Sequence, residues 1–190
     1  MNEPGSLVRL ASRLILPTVG YRHLFAYARF LDIAELRAIG LQPHFVTLAR
    51  YKGRRWIINE SGEPTIVPRR GHQVFGIIWK VREVELAALD ILEGVPHLHE
   101  RYGSFATTAE GVLCISEFYC SKDQRLGVGS ASLLAPILSS ARHWGFTREY
   151  IDELAQWASA RQGEPVGALN ESVYPPHRVP PTAAKADKLR

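Results

Sequence analysis

The run VFGIIWKVREVELAALDILEGVPH, Val74 to His97, limits the chain more than any other stretch. Gln73 to Val81 is almost unbroken apolar sequence, the pattern of a central strand covered on both faces. Gly76 inside it marks a bulge or a close backbone approach. From Glu83 to Glu93 the period changes: Val84, Leu86, Ala87, Leu89, Ile91 and Leu92 form a wide apolar stripe at helical spacing. This helix ends on a carboxylate, Glu93, followed by Gly94. A glutamate beside Ile91, Leu92 and Val95 risks desolvation, which disfavours its charged form and moves a carboxyl towards the range useful for proton transfer. Gly94 removes a side chain beside it and permits a turn that bulky residues resist. A solvated helix-terminal glutamate before a capping glycine gives the same letters, so the pattern alone leaves both readings open.

The rest of the chain supplies partners for that strand and helix. His23 to Phe30 has the density of a buried strand. Asp32 and Glu35 predict a capping box for a short helix stopped by Gly40. HFVTLARYKGRRWIINE reads as two strands joined near Lys52-Gly53, or as one bent strand, and SGEPTIVPRRGH as loop. YGSFATTA and GVLCISEFYC predict a strand pair around the Glu110-Gly111 turn. Two helices follow, separated by Gly145, the second capped by Thr147. Residues 6–16 are either a short amphipathic helix or an irregular lead-in. The order of elements favours an α+β domain around a mixed or antiparallel sheet, or a small barrel, over residues 1–160, with a Pro/Ala/charge-rich tail over 161–190 that is expected to be disordered.

Composition narrows the classes of function. With 23 Lys and Arg against 19 Asp and Glu the net charge is +4, and the tail holds five basic and three acidic residues, so half the excess lies there. A core near +2 gives little reason for a nucleic-acid face. RYKGRRW, Tyr51 and Lys52 through Trp56, is a short basic-aromatic cluster better read as a hairpin turn with solvated tips. PPHRVPP could dock in polyproline form, although a passive tail is the simpler reading. Arg9 and Arg13 break any apolar leader segment, and no stretch has the roughly 18 apolar residues of a spanning helix. Cys114 and Cys120, six residues apart, would lie roughly 20 Å apart on one strand, too far to bridge. Reduced thiols, hence a cytoplasmic protein with no membrane contact, are expected. His97, His99 and Glu100 fit a helical zinc motif poorly, so no metal is expected. His72 is expected in an exposed loop, and the four tryptophans are read as packing.

Three blocks, FAYARFL, then VFGIIWKV with LDILEGV, then ILSSARHWGFTREYIDELAQWA, resemble the γ-glutamylcyclotransferase-like (AIG2-like) family in order and spacing, over roughly residues 23–158. The resemblance implies a small mixed β-barrel with flanking helices, no metal or cofactor, and a small-molecule substrate: a γ-glutamyl amide cleaved to 5-oxoproline and an amine. A homodimer is compatible with it. The family's acid/base glutamate falls on Glu93. The loop that holds the glutamyl head group, Y-G-S-N in the family, matches Tyr27, Ala28, Arg29 and Phe30. Tyrosine is kept and the other three differ. Arg29 could clamp a carboxylate, Phe30 could re-line the pocket for a different amide, or the loop could have lost glutamyl binding altogether. Tyr102 and Tyr119 are further pocket candidates by the same resemblance. Beside the enzyme stand two other readings: a catalytically silent member whose loop binds another ligand or a protein, and a different acyl transfer or amide hydrolysis driven by Glu93.

Overall fold

The apolar run does form a central strand, and a longer one than the sequence predicts. In this computed structural model, which describes residues 14–158 and 177–178, β1 (Leu14–Ile15) and β2 (Tyr21–Ala26) precede a 3-10 turn at Arg29–Leu31 and helix α1 (Ile33–Ala38). Strands β3 (His44–Ile58) and β4 (Pro64–Arg82) lead into α2 (Glu83–Leu92). The chain continues through β5 (His99–Thr108), β6 (Leu113–Ser121), α3 (Ala131–His143) and α4 (Arg148–Ala155), and β7 (His177–Arg178) lies against β5. The strand order β1-β6-β2-β4-β3-β5-β7, with β5 also paired to β6, closes β6, β2, β4, β3 and β5 into a five-stranded barrel. β2 and β1 run parallel to β6 and the other pairs are antiparallel, so the barrel is mixed.

Its interior is filled by residues that the strand period turns inward. Phe25 meets Tyr51 edge-on at 4.6 Å between ring centroids, and Tyr51 meets Phe118 at 4.7 Å. Gly76 is a close approach: a β-carbon there would come within 2.3 Å of the Ala26 carbonyl and 2.5 Å of the Phe25 ring. Cys114 and Cys120 are free and buried on β6, and burial pushes their thiols up to about 11 and about 12. Helices α3 and α4 cover β4 from outside, where Phe75 packs on Tyr150 and Trp79 on Trp144.

Four local expectations are corrected. Only Ser61 to Glu63 of SGEPTIVPRRGH form a turn; from Pro64 it is strand, where Thr65, Ile66 and Val67 pair with Ile57, Trp56 and Arg55 and are fully buried. Its prolines and glycine sit where a ladder tolerates them: Pro64 opens the strand, and Pro68 is the last pair before a bulge that contains Gly71 at φ +82°. RYKGRRW is therefore the middle of a single bent strand rather than a solvated tip. Arg54 is buried over the Phe118 ring at 5.0 Å. His72 likewise lies within β4, facing Glu153. β2 stops at Ala26, so Tyr27 to Phe30 are loop and turn. Asp32 does cap α1, by accepting from the Ala34 N–H at 2.8 Å, while Glu35 lines the cavity described below. The hairpin at Glu110-Gly111 and the Thr147 cap are as expected. Residues 6–13 and most of the 161–190 tail lie outside the described residues. Among those described, no helix is long and apolar enough to cross a membrane.

Candidate active site

Helix α2 is short and tightly bounded. At its start Glu85 accepts from the Arg82 backbone N–H at 2.7 Å and from the Gln42 N–H at 3.0 Å. At its end the Gly94 N–H donates to the Ile91 carbonyl and the Val95 N–H to the Asp90 carbonyl, the paired bonds of a Schellman motif. Gly94 takes φ +63°, which glycine adopts without strain. Glu93 is thus the C-cap residue, as the plainer reading of the sequence has it. Its side chain is nevertheless only 9% exposed and lines a cavity of about 510 Å³.

The loop after β2, the end of α2, the start of β5 and one face of α3 supply most of its lining, with Glu35 of α1, Pro64 at the start of β4 and Tyr119 of β6 completing it. Tyr27, Ala28, Arg29, Phe30 and Tyr119 all line it with Glu93. Of the expected residues, only Tyr102 stands elsewhere. On β5 the period of two gives Arg101 to the face under α2 and turns Tyr102 to the opposite one, where its ring stacks on Phe118 at 5.8 Å and its hydroxyl meets Glu100. Tyr102 is removed from the set of pocket residues on that ground.

Arg29 and Glu93, 64 residues apart in sequence, form an ion pair through Nη2 and Oε1. The guanidinium also lies over the Phe30 ring, 4.6 Å from its centroid. The other carboxylate oxygen of Glu93 is 3.7 Å from His99 Nδ1, and the same nitrogen lies 2.7 Å from the Glu93 carbonyl oxygen. That carbonyl accepts, so Nδ1 carries a proton and donates it there, leaving the ring beside the carboxylate without a hydrogen bond to it. The sequence offered His99 only as a poor metal ligand. The turn at 94–98, in which the His97 and Leu98 N–H groups both donate to the Gly94 carbonyl, returns the chain and places it beside Glu93. Among the described residues no group of three or more His, Cys, Asp or Glu side chains is arranged to hold a metal ion.

The backbone of the loop from Tyr27 to Leu31 is fastened from outside the cavity. Indole N–H groups of Trp56, Trp79 and Trp144 donate to the carbonyls of Tyr27, Phe30 and Leu31 at 3.1, 2.9 and 2.9 Å. The tryptophans do pack, as expected, and they also spend their one polar atom on the same five-residue segment. Tyr27 donates to the Tyr119 carbonyl at 2.6 Å, and Tyr119 donates to Asp90 Oδ1 at 2.9 Å. Burial pushes both phenols up, so they serve as donors and not as bases. Asp90 continues into a buried cluster: Arg101 lies 3.3 Å from Asp90 and 3.2 Å from Glu117, and Arg22 reaches Glu117 at 3.5 Å.

With this geometry stand the comparisons. The family model for "Gamma-glutamyl cyclotransferase, AIG2-like" matches residues 25–132, more than half the chain. The chain belongs to this family. The matched segment contains Tyr27 to Leu31, Glu93, His99 and Tyr119. A solved γ-glutamyl cyclotransferase is similar in fold, with TM-score 0.67 and 21% identity over 80% of this chain and 94% of that one. An uncharacterized protein from Homo sapiens gives the same score and identity over 80% and 95%. YkqA from Bacillus subtilis follows at TM-score 0.62 and 18% identity, over 74% of this chain and 55% of that one. No curated protein matches by sequence. At these identities the likeness to solved structures speaks for the barrel, while the residues of the cavity speak for the chemistry.

Proposed function

We propose that this protein is a cofactor-independent γ-glutamyl cyclotransferase acting on a small γ-glutamyl amide in the cytoplasm, with Glu93 as acid and base. The observation that carries the proposal is a carboxylate almost wholly withdrawn from water, yet facing a cavity lined by the loop of Tyr27 to Phe30. Two free, buried cysteines fit the reducing compartment.

The chemistry needs few groups. Glu93 takes a proton from the substrate's α-ammonium. The freed amine attacks its own γ-carbonyl carbon, forming the ring C–N bond. Glu93 then gives its proton to the departing nitrogen as the γ C–N bond breaks, and the ring nitrogen sheds its second proton as the leaving amine becomes an ammonium. Because nucleophile and carbonyl belong to one molecule, tethering supplies much of the rate and no enzyme nucleophile is required. The chain contributes the base, an apolar wall from Phe30, Leu92, Leu98 and Ile137, and a loop held in place by three indole bonds. His99 holds the backbone of Glu93 through its carbonyl, and Tyr27 and Tyr119 line the cavity beside it.

The test is incubation with γ-glutamyl amines in ¹⁸O-water, with products read by mass spectrometry. Cyclisation yields 5-oxoproline without ¹⁸O. Labelled glutamate would instead mark hydrolysis, and no turnover of any amide would favour a silent member of the family that binds through its altered loop.

A further inference from the structure

The Arg29–Glu93 pair has an asymmetry that identifies what can replace it. The Arg29 side chain is 51% exposed, and that of Glu93 is 9% exposed. A half-exposed arginine gives up an ion pair at little cost, because water and a new anion stand ready to solvate it. A buried carboxylate cannot lose its cation so cheaply. Any ligand that draws Arg29 away must therefore bring a positive charge for Glu93 as well as a negative one for Arg29.

We infer that Arg29 is a partner-exchanging anchor that makes the cavity specific for a zwitterionic α-amino acid head group: the ligand's α-carboxylate takes the guanidinium from Glu93, and its α-ammonium takes the vacated place on the carboxylate. This rests on the proposed cyclotransferase reading, whose γ-glutamyl substrates carry that head group, and adds to it the residue that selects it and the exchange by which it does so. The exchange conserves charge, one ion pair and one zwitterion becoming two ion pairs. It also brings the ammonium to Glu93, where the reaction has to begin. Phe30 supports the movement, since a guanidinium stacked on its ring at 4.6 Å keeps a planar contact while its N–H edge changes partner. Ala28 and Phe30, which have no charged or hydrogen-bonding side chain, leave Arg29 as the loop's one cationic side chain between Tyr27 and Leu31. The account excludes N-acylated, α-esterified and α-amidated head groups as good ligands, because each removes one of the two charges.

The experiment is a cycle of two proteins and two ligands, read by calorimetric binding and in parallel by 5-oxoproline release. The proteins are wild type and Arg29→Gln; the ligands are a γ-glutamyl amine and the same compound with its α-carboxylate converted to a carboxamide. The wild type should bind the carboxylate form at least tenfold more tightly. Arg29→Gln should erase that preference by weakening the carboxylate form alone, and Arg29→Lys should restore part of it. A preference that survives Arg29→Gln overturns the proposal, as does equal weakening of both ligands or failure of the wild type to bind either. Selective binding without any 5-oxoproline would leave the exchange standing and remove the cyclotransferase reading.

Discussion

Asp90 and Glu93 lie three residues apart near the end of one helix, both are nearly withdrawn from water, and both face an arginine, yet they belong to different kinds of site. Asp90 meets Arg101, 3% exposed, within a cluster that runs on through Glu117 to Arg22 and the surface residue Glu83. Glu93 meets Arg29, half in solvent, across a cavity. A carboxylate whose partners are all buried is fixed; a buried carboxylate whose partner can leave is available for chemistry. Burial of the acid does not separate them. The exposure of the partner does.

The sharpest way to break the comparison is to remove a partner from each side. Arg101→Met should destabilise the fold by about 3–5 kcal/mol in urea unfolding, because buried Asp90 loses its cation and Glu117 keeps only Arg22. A cost under about 1 kcal/mol would mean that water reaches the cluster and that the contrast is false. Next in size is Gly76→Ala, which places a carbon against the Ala26 carbonyl and Phe25 where β2 leads into the loop from Tyr27 to Leu31. It should cost about 1–3 kcal/mol and weaken ligand binding with it; an unchanged melting midpoint would show that the loop's root is less tightly packed than described. Arg29→Gln should cost about 1–2 kcal/mol, less than Arg101→Met because Arg29 is half in solvent, but not nothing because Glu93, 9% exposed, loses its cation. A loss as large as that of Arg101→Met would make both arginines structural.

The fixed cluster also carries a pH signature. Burial holds the Glu117 carboxyl above its usual range, and Arg101 and Arg22 only partly oppose this. A carboxyl raised in the folded state favours the protonated form, so its stabilising contribution is complete below the ordinary carboxylate pKa and is lost as pH rises through the folded value. The stability difference between wild type and Glu117→Gln should therefore move against the wild type on going from about pH 4 to about pH 7. A difference that is flat or opposite in sign would place Glu117 in a wetter setting.

Local signals draw attention to Glu93: an apolar strand, a helical stripe and a carboxylate at a glycine stop. They fit a plain helix cap equally well, and it is the resemblance of LDILEGV to the family that singles it out. The α+β order of elements was legible through the same period changes, while closure of the sheet into a barrel rested on that resemblance. What escaped depends on distance along the chain or on register. Arg29 stood out as a substitution in the loop, but nothing in its neighbours shows that it lies on Glu93. His99 reaches the site only because the turn at 94–98 doubles back. Tyr102 looked as suitable as Tyr119 until the pairing of β5 with β6 set it on Phe118 and gave Arg101 the face under α2. Pro64, Pro68 and Gly71 read as loop because their letters are loop letters, and only the partner strand shows them at an opening pair and a bulge. The three indole donors converge on one segment from β3, β4 and the residue that ends α3, a convergence visible only once the barrel is closed.

The measurement closest to the central claim is single-turnover release of 5-oxoproline from a γ-glutamyl amine by wild type and Glu93→Gln, with unfolding midpoints recorded for both. The account predicts a rate loss of about 10²–10⁴-fold in a variant that stays folded and still binds the amide. Equal rates in the two folded proteins would contradict it, and would return Glu93 to the role of a helix cap that happens to border a cavity.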